Sequence, residues 1–224
     1  RDFVANVSHE LKTPLTVLAG FLETVTELDL NQQERDRYLE MMSVQTGRMK
    51  TLVEDLLTLA KLEGNPEPPI SQVVNMPNML ARLKLDAEGL SQGKHQITFD
   101  QQTNKNILGD DLELYSAFGN LVSNAVRYTP EGGKVSVTWS QTGEEIELCV
   151  SDTGPGIAAE HIPRLTERFY RVDRSRSRET GGTGLGMAIV KHVINRHHGE
   201  LKIESTVGVG SRFCLVFPRQ RIAP

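Results

Sequence analysis

The sequence predicts two structural units: a helical hairpin that dimerises as a four-helix bundle, followed by an α+β layered unit. Apolar residues recur at helical spacing from Phe3 to Val25 and again from about Gln33 to Leu62. A break rich in proline follows, in the stretch EGNPEPPI. Beyond Ile70, short strand-like runs outnumber helical stretches and do not alternate with them one for one. An α/β sandwich therefore fits the second unit better than a doubly wound sheet.

The first unit is predicted to be a dimerisation unit. Only LDLN separates the two helical patterns, so the helices should lie antiparallel as neighbours. Each helix carries one apolar stripe, and two helices cannot bury both stripes without a further partner. A second copy of the chain completes a four-helix bundle. We therefore predict a homodimer through residues 1–63, a linker at 64–70 and a second domain at 71–220.

The second unit combines strands and helices. The predicted strands read QVVNM, HQITF, NKNIL, KVSVTW, EIELCVSD, ELKIEST and SRFCLVF. Helical spacing of apolar residues runs from Pro77 to Leu90, from Asp111 to Tyr128 and from Leu185 to His197. The polar stretch RVDRSRSRETGGTG is too rich in Arg, Ser and Gly to hold a fixed conformation unaided.

Composition limits the classes of function. The 224-residue chain has a net charge of -4 and scattered basic residues, so we expect no direct nucleic-acid binding. No window approaches the roughly 18 apolar residues of a membrane span, and no secretory signal is seen. The chain starts at Arg1 inside a helical pattern. We therefore expect a fragment, with any membrane attachment through segments absent from this chain.

The two cysteines are expected to be buried free thiols. Cys149 and Cys214 each lie in an apolar run, ELCV and FCLVF. Such runs are typical of structural thiols in a reducing compartment. Their spacing indicates neither a metal site nor a disulfide framework.

Polar residues on the helix DDLELYSAFGNLVSNAVRYTP form a candidate site. At ~100° per residue, Asn120, Asn124 and Arg127 share a narrow stripe. Two amides one turn apart, followed by an arginine, can hold a metal ion and the phosphates around it. On a single helix the commoner explanation is a solvated polar face, so the stripe alone does not establish a site.

Two glycine-rich segments support a nucleotide site. Asp152 ends a predicted strand and opens DTGPGI, where it can accept a hydrogen bond from an exocyclic amine and so select adenine over guanine. The second segment, GGTGLGMAIV, opens a helix whose free N–H groups and positive dipole end suit a phosphate. Each segment alone is weak evidence, because glycine clusters usually mark ordinary turns.

Together these segments resemble the sensor histidine kinases of two-component signalling. Their ATP-binding fold is shared with gyrase, the heat-shock chaperone and the mismatch-repair ATPases. The resemblance covers essentially the whole chain, and the matching segments are SHELKTPL, NLVSNAVRYTP, DTGPGI, ERFYRVD and GGTGLGMAIVK. Within the family, PRLTERFYRVD, with Thr166 where many members carry an aromatic residue, is similar to the phosphate-regulon branch.

The resemblance implies binding of ATP and Mg²⁺ in the second unit. It implies Asn120 as the magnesium ligand, Asn124 and Arg127 near the phosphates, and Tyr128 and Asp152 at the adenine. Further nucleotide-binding positions are Gly154, Gly156, Gly182, Thr183, Gly184, Leu185 and Gly186. Near Phe169, Arg171 is the better candidate to reach the terminal phosphate and Arg168 the second.

The first helix carries the expected phosphoryl acceptor. Helical geometry places His9 almost opposite the buried stripe that includes Leu11 and Leu18, so His9 should be exposed. The resemblance implies that His9 accepts the phosphoryl group and that Glu10 is the general base. It implies that Thr13, one turn beyond His9, orients a water for dephosphorylation of a response regulator. Pro14 should bend this helix.

Other polar residues receive lesser roles. Lys12 is given no catalytic role. Residues on the side of His9 are plausible contacts for a response regulator: Thr16, Gly20 and Glu23. The remaining histidines considered are expected to have surface or packing roles: His161, His192, His197 and His198.

These features predict a kinase that needs an external acceptor. In self-hydrolysing relatives the position of Asn120 holds a glutamate, and a neutral amide cannot act as a general base. We expect autophosphorylation of His9, transfer to an aspartate of a response regulator, and phosphatase activity, in phosphate-starvation signalling. We expect the cytoplasmic portion of a bacterial inner-membrane protein. An ATP-hydrolysing conformational machine and a non-catalytic dimeric scaffold remain the alternatives.

Overall fold

The first unit is a pair of long helices. The computed structural model describes residues 2–68, 70–172 and 182–224. Helix α1 spans Asp2–Glu27 and continues through Pro14, and α2 spans Gln32–Gly64. The helix α2 begins at a capping box, in which Asn31 and Glu34 accept hydrogen bonds from each other's backbone N–H. This cap fixes the short turn between the helices.

The second unit contains the remaining three α-helices and all seven strands of the described ranges. Every run predicted as a strand contains one. The elements are β1 Val73–Val74, α3 Met76–Ser91, β2 Gln96–Gln101, β3 Ile107–Leu108, α4 Asp111–Tyr128, β4 Lys134–Thr142, β5 Glu145–Asp152, α5 Gly186–Arg196, β6 Glu200–Thr206 and β7 Gly210–Phe217. Part of the polar stretch predicted between β5 and α5, residues 173–181, lies outside the described residues.

Five strands form a mixed sheet in the order β2-β4-β5-β7-β6, and β1 and β3 pair separately as an antiparallel two-stranded sheet. β2 is parallel to β4, and the other neighbours are antiparallel. The helices α3, α4 and α5 pack with one face of this sheet around a single apolar core. At its centre the rings of Phe118 and Phe217 meet edge to face, with centroids 6.1 Å apart. The predicted α/β sandwich is confirmed.

In the described ranges, no helix combines the length and the hydrophobicity required to cross a membrane.

The prediction of two free thiols was wrong. Cys149 on β5 and Cys214 on β7 lie directly opposite each other and form a disulfide. Both are nearly inaccessible, at 2% and 6% exposure. Leu148 and Val150 point into the core, so Cys149 lies on the other face of the sheet. Sequence spacing could not reveal this bond, because it depends on the pairing of two strands that are not consecutive in the chain.

A buried histidine supports the start of α4. His197 is fully buried, and its Nδ1 lies 2.8 Å from the carbonyl oxygen of Val193. Its Nε2 accepts the backbone N–H of Asp110 at 3.2 Å, and Asp110 caps α4. Nδ1 therefore carries the proton and Nε2 is an acceptor. Burial lowers the pKa of His197 below its ordinary value of 6.5, and the nearby Arg196 and Arg221 act in the same direction.

The contribution of His197 to stability should therefore fall in mild acid. Below pH 6.5 the unfolded chain binds a proton that folded His197 resists, so unfolding becomes easier by up to about 1.4 kcal/mol per pH unit. Chemical denaturation between pH 7.5 and 5.5 measures this slope. His197→Gln should reduce it, whereas His198→Gln, at an exposed neighbour, should retain the native slope. Equal slopes in all three proteins would contradict the assignment.

Candidate functional site

A cavity of about 580 Å³, the α4–α5 cleft, lies between α4, the end of β5 and the start of α5. It is large enough for a nucleotide-sized ligand. Eleven residues predicted from the sequence line it: Asn120, Asn124, Arg127, Tyr128, Asp152, Gly156, Arg171, Gly182, Thr183, Gly184 and Gly186. Two of the predicted nucleotide-binding residues do not line it. Leu185 is fully buried, and Gly154 lies beside Asp152.

Asn120 is held against the first residue of α5. Its Nδ2 donates to the carbonyl oxygen of Ser116 at 2.8 Å, which fixes the amide and leaves Oδ1 directed at Gly186. A Cβ at Gly186 would overlap that oxygen, so only glycine fits between α5 and Asn120. The amide oxygen beside a helix N-terminus suits Mg²⁺ coordination together with phosphate binding.

The turn before α5 also needs glycine. Gly184 has φ +74°, and a Cβ there would lie 2.9 Å from Cα of Phe169. The carbonyl oxygen of Gly184 accepts the N–H of Phe169 at 2.8 Å. This hydrogen bond joins the glycine-rich segment to the segment that carries Arg171. Two motifs from different parts of the sequence therefore meet at one end of the cleft.

Asp152 presents a fixed carboxylate at the other end of the cleft. Its Oδ1 accepts the N–H of Gly154 at 2.8 Å. Burial raises the pKa of Asp152, and hydrogen bonds from the backbone of Gly154 and Ser211 oppose that shift. The remaining acceptor positions can receive an amine of a bound ligand.

A second cavity of about 750 Å³, the hairpin cleft, lies between the hairpin and the second unit. His9, Glu10 and Thr13 line it, and the side chain of His9 is exposed. Thr13 Oγ1 donates to the carbonyl oxygen of His9 at 3.1 Å. The predicted acceptor, base and hydroxyl thus line one cavity.

Four residues line both cavities, and they define the boundary between them: Tyr170, Arg171, Gly182 and Thr183. Arg171 is 17% exposed, and its guanidinium lies 3.3 Å from Oε2 of Glu10. Arg168 lines only the hairpin cleft, where it pairs with Glu63 and lies over the ring of Phe3. Of the two predicted arginines, Arg171 lines the α4–α5 cleft and Arg168 does not.

Sequence reasoning missed several residues of the α4–α5 cleft. Asp55 on α2 lines it and accepts a hydrogen bond from Oγ1 of Thr183 at 2.6 Å. Burial raises the pKa of Asp55, while Thr183 and Arg127 oppose the shift. Ser211 and Phe213 of β7 also line the cleft. None of the three lies in a recognisable motif, and Asp55 belongs to the other unit, so no local signal marked them.

Two family models match the chain. Residues 1–65 match the His Kinase A (phospho-acceptor) domain, and residues 109–221 match the histidine kinase-, DNA gyrase B- and HSP90-like ATPase. A curated relative, the phosphate regulon sensor protein PhoR of Pseudomonas aeruginosa, is 49% identical over the whole chain. This chain covers 51% of that relative and spans about half the length of the curated relatives it matches.

Solved histidine kinases have a similar structure. Full-length ShkA in complex with AMPPNP is 27% identical, with a TM-score of 0.68 over 97% of this chain and 45% of that one. ThkA in complex with the response regulator protein TrrA is 21% identical, with a TM-score of 0.76 over 97% of this chain and 61% of that one. The second likeness concerns the fold alone.

Replacing Gly186 with alanine tests the cleft. In Gly186→Ala the new Cβ displaces Oδ1 of Asn120, so Mg²⁺-dependent affinity for an ATP analogue should fall about tenfold or more, equivalent to ~1.4 kcal/mol. Calorimetric titration with and without Mg²⁺ measures the change. Gly89→Ala on α3, where a Cβ meets open space, is the matched control and should bind normally. Native affinity in Gly186→Ala would rule out this role for the contact.

Proposed function

Because the chain belongs to the sensor histidine kinases, we propose that it transfers the γ-phosphoryl group of ATP to His9. A response regulator then takes the phosphoryl group on an aspartate. The observation that carries this proposal is the shared boundary of the two clefts. A phosphoryl group in the α4–α5 cleft meets Arg171 and Thr183, and both residues also line the cleft that holds His9.

Residues of the α4–α5 cleft are proposed to bind the nucleotide. Asp152 receives the adenine amine beside Tyr128, while Asn124 and Arg127 contact the phosphates. The glycine-rich turn at 182–186 covers the phosphates with its backbone N–H groups. Asn120 would hold Mg²⁺, which neutralises phosphate charge when bound. The fixed Oδ1 of Asn120 beside Gly186 supports that role, because magnesium prefers oxygen ligands.

His9 and Glu10 are proposed to carry out the chemical step. A ring nitrogen of His9 attacks the γ-phosphorus, ADP leaves, and Glu10 accepts the proton released by the ring. In the structure the guanidinium of Arg171 donates a hydrogen bond to Oε2 of Glu10 at 3.3 Å. Movement of Arg171 onto the γ-phosphate would free Glu10 and place a positive charge where the transferred group is most negative.

Homodimerisation is proposed from the apolar face of the hairpin. Large apolar side chains remain exposed along both helices: Leu15, Leu22, Leu39, Met41, Val44, Val53 and Leu57. A face of this extent is typical of an interface rather than of a solvated helix pair. A second copy would cover it as a four-helix bundle, with residues 1–63 as the dimerisation domain, 64–70 as the linker and 71–220 as the ATP-binding domain.

The wider assignment rests on the relatives. The name of the Pseudomonas aeruginosa relative supports phosphate-starvation signalling, and the ThkA–TrrA complex supports a response regulator as partner. We place the chain in the cytoplasm, attached to the inner membrane through other segments. An ATP-hydrolysing machine is the weaker candidate, because the polar side chain nearest Gly186 is the neutral amide of Asn120.

His9 should be the only site of labelling. Incubation with γ-labelled ATP and Mg²⁺ should give protein-bound label that is stable in alkali and lost in acid. His9→Ala should abolish it while retaining nucleotide affinity, because His9 does not line the α4–α5 cleft. His192→Ala, at a partly exposed histidine on α5, is the control and should label normally. Label retained in His9→Ala would disprove the acceptor assignment.

Substitution of Thr13 should affect dephosphorylation of the response regulator but not phosphorylation of His9. Thr13→Ala removes the hydroxyl proposed to orient water, so dephosphorylation of the response regulator should slow about tenfold or more. Labelling of His9 should remain. Thr26→Ala removes an equivalent hydroxyl-to-carbonyl bond elsewhere on α1 and should leave both rates unchanged. Equal dephosphorylation by the native and Thr13→Ala proteins would exclude Thr13 from the mechanism.

A further inference from the structure

Arg196, the last residue of α5, joins three parts of the chain. Its guanidinium donates to the carbonyl oxygens of Leu62 at 3.0 Å, Asn65 at 2.9 Å and Pro66 at 2.6 Å. It also forms a bidentate pair with Glu113 on the first turn of α4, at 3.0 and 2.8 Å. An arginine has five N–H donors, and all five have an acceptor here. The side chains of Arg196 and Glu113 are only 12% and 14% exposed.

The acceptors show what this arginine holds in place. Leu62 lies in the last turn of α2, where carbonyl oxygens lack partners within the helix. Asn65 and Pro66 belong to the stretch predicted as a linker. A second buried arginine, Arg221, donates to the carbonyl oxygens of Pro68 and Arg196. The main chain of the linker is therefore bound to the ATP-binding domain by hydrogen bonds.

The bound linker places the α4–α5 cleft beside His9 of the same chain. Arg196 ends the helix that Gly186 begins, and Glu113 lies on the helix that carries Asn120. One guanidinium thus connects the end of the hairpin to both helices that border the cleft. Neither Arg196 nor Glu113 lines either cavity, so their contacts can persist while the glycine-rich turn responds to a ligand.

We propose that Arg196 is a positioning residue that directs phosphoryl transfer to His9 of its own chain. The proposal rests on the proposed kinase function. Arg196 holds the ATP-binding domain at a fixed position against the hairpin, which raises the effective concentration of bound ATP at that histidine. Without it, the end of α2 and the linker lose three main-chain hydrogen bonds, so the domain can move further and can also reach His9 of a partner in the dimer.

Paired substitutions separate positioning from folding. Arg196→Ala combined with Glu113→Ala removes both charges and leaves no unpaired buried carboxylate. The affinity of this double variant for an ATP analogue should stay native. The rate of His9 labelling should fall about tenfold, because the effective concentration of bound ATP at His9 is lower. Arg196→Lys should also label slowly, because three donors cannot serve five acceptors.

The matched control is a second ion pair of the same domain. Arg82 pairs with Asp111 at 2.8 Å, also on the first turn of α4, but without contact to the linker. Arg82→Ala combined with Asp111→Ala should label at the native rate. Slow labelling in this control as well would assign the effect to α4 rather than to the linker and would overturn the proposal.

Mixed dimers provide the decisive readout. The donor chain carries His9→Ala and binds ATP, whereas the acceptor chain carries Asp152→Asn and retains His9. With native Arg196 in the donor, little label should reach the acceptor. With Arg196→Ala and Glu113→Ala in the donor, label on the acceptor should rise, a gain that misfolding cannot produce.

The outcomes distinguish the two proposals. If the native chain binds the ATP analogue but takes up no label, the proposed kinase function fails. If the native chain is labelled and the Arg196 variant is labelled equally fast, only the positioning role fails. That role also fails if labelling and nucleotide affinity fall together, or if the donor with native Arg196 labels the acceptor efficiently.

Discussion

The contact between α5 and α4 is the constraint on which the second unit depends. The helix α5 buries its apolar face, including Ile189 and Val193, in the core shared with α4 and the sheet. That packing brings Gly186 so close to Asn120 that no side chain fits between them. The first turn of α5, whose N–H groups lack partners within the helix, therefore begins beside a fixed amide oxygen. Core packing and ligand chemistry are therefore set by the same helix pair.

The two units differ in how completely they bury their apolar residues. The sandwich encloses a continuous core around Trp139 and Phe217, both fully buried. The hairpin leaves Leu22 and Leu39 about half exposed, and its buried residues Leu52, Leu59 and Leu62 lie in the second half of α2. These three leucines join the core of the sandwich, whereas the exposed apolar residues of the hairpin need further surface to cover them. This difference agrees with the proposed assembly of the hairpin with a second copy of the chain.

Local motifs predicted the elements of the site, but the sequence did not predict contacts between residues that are far apart in the chain. Helical periodicity located α4 and thereby Asn120 and Asn124, because these residues lie within one element. The disulfide between Cys149 and Cys214 depends on which strands become neighbours, and Asp55 reaches the cleft only when the hairpin packs against the second unit. Such contacts join residues 65 and 128 positions apart. They have no periodicity that a single sequence could reveal.

Charge explains how nucleotide and acceptor could be coupled under the proposed function. Asp55 lies in the cleft proposed for the triphosphate, and burial already disfavours its charge. An incoming phosphate would repel that carboxylate and weaken its bond with Thr183. The same phosphate is a stronger partner for Arg171 than the single carboxylate of Glu10, which is 40% exposed. Both effects favour phosphoryl transfer to His9. Loss of the Asp55–Thr183 bond releases the glycine-rich turn from α2, and loss of the Arg171–Glu10 pair frees the proposed base beside His9.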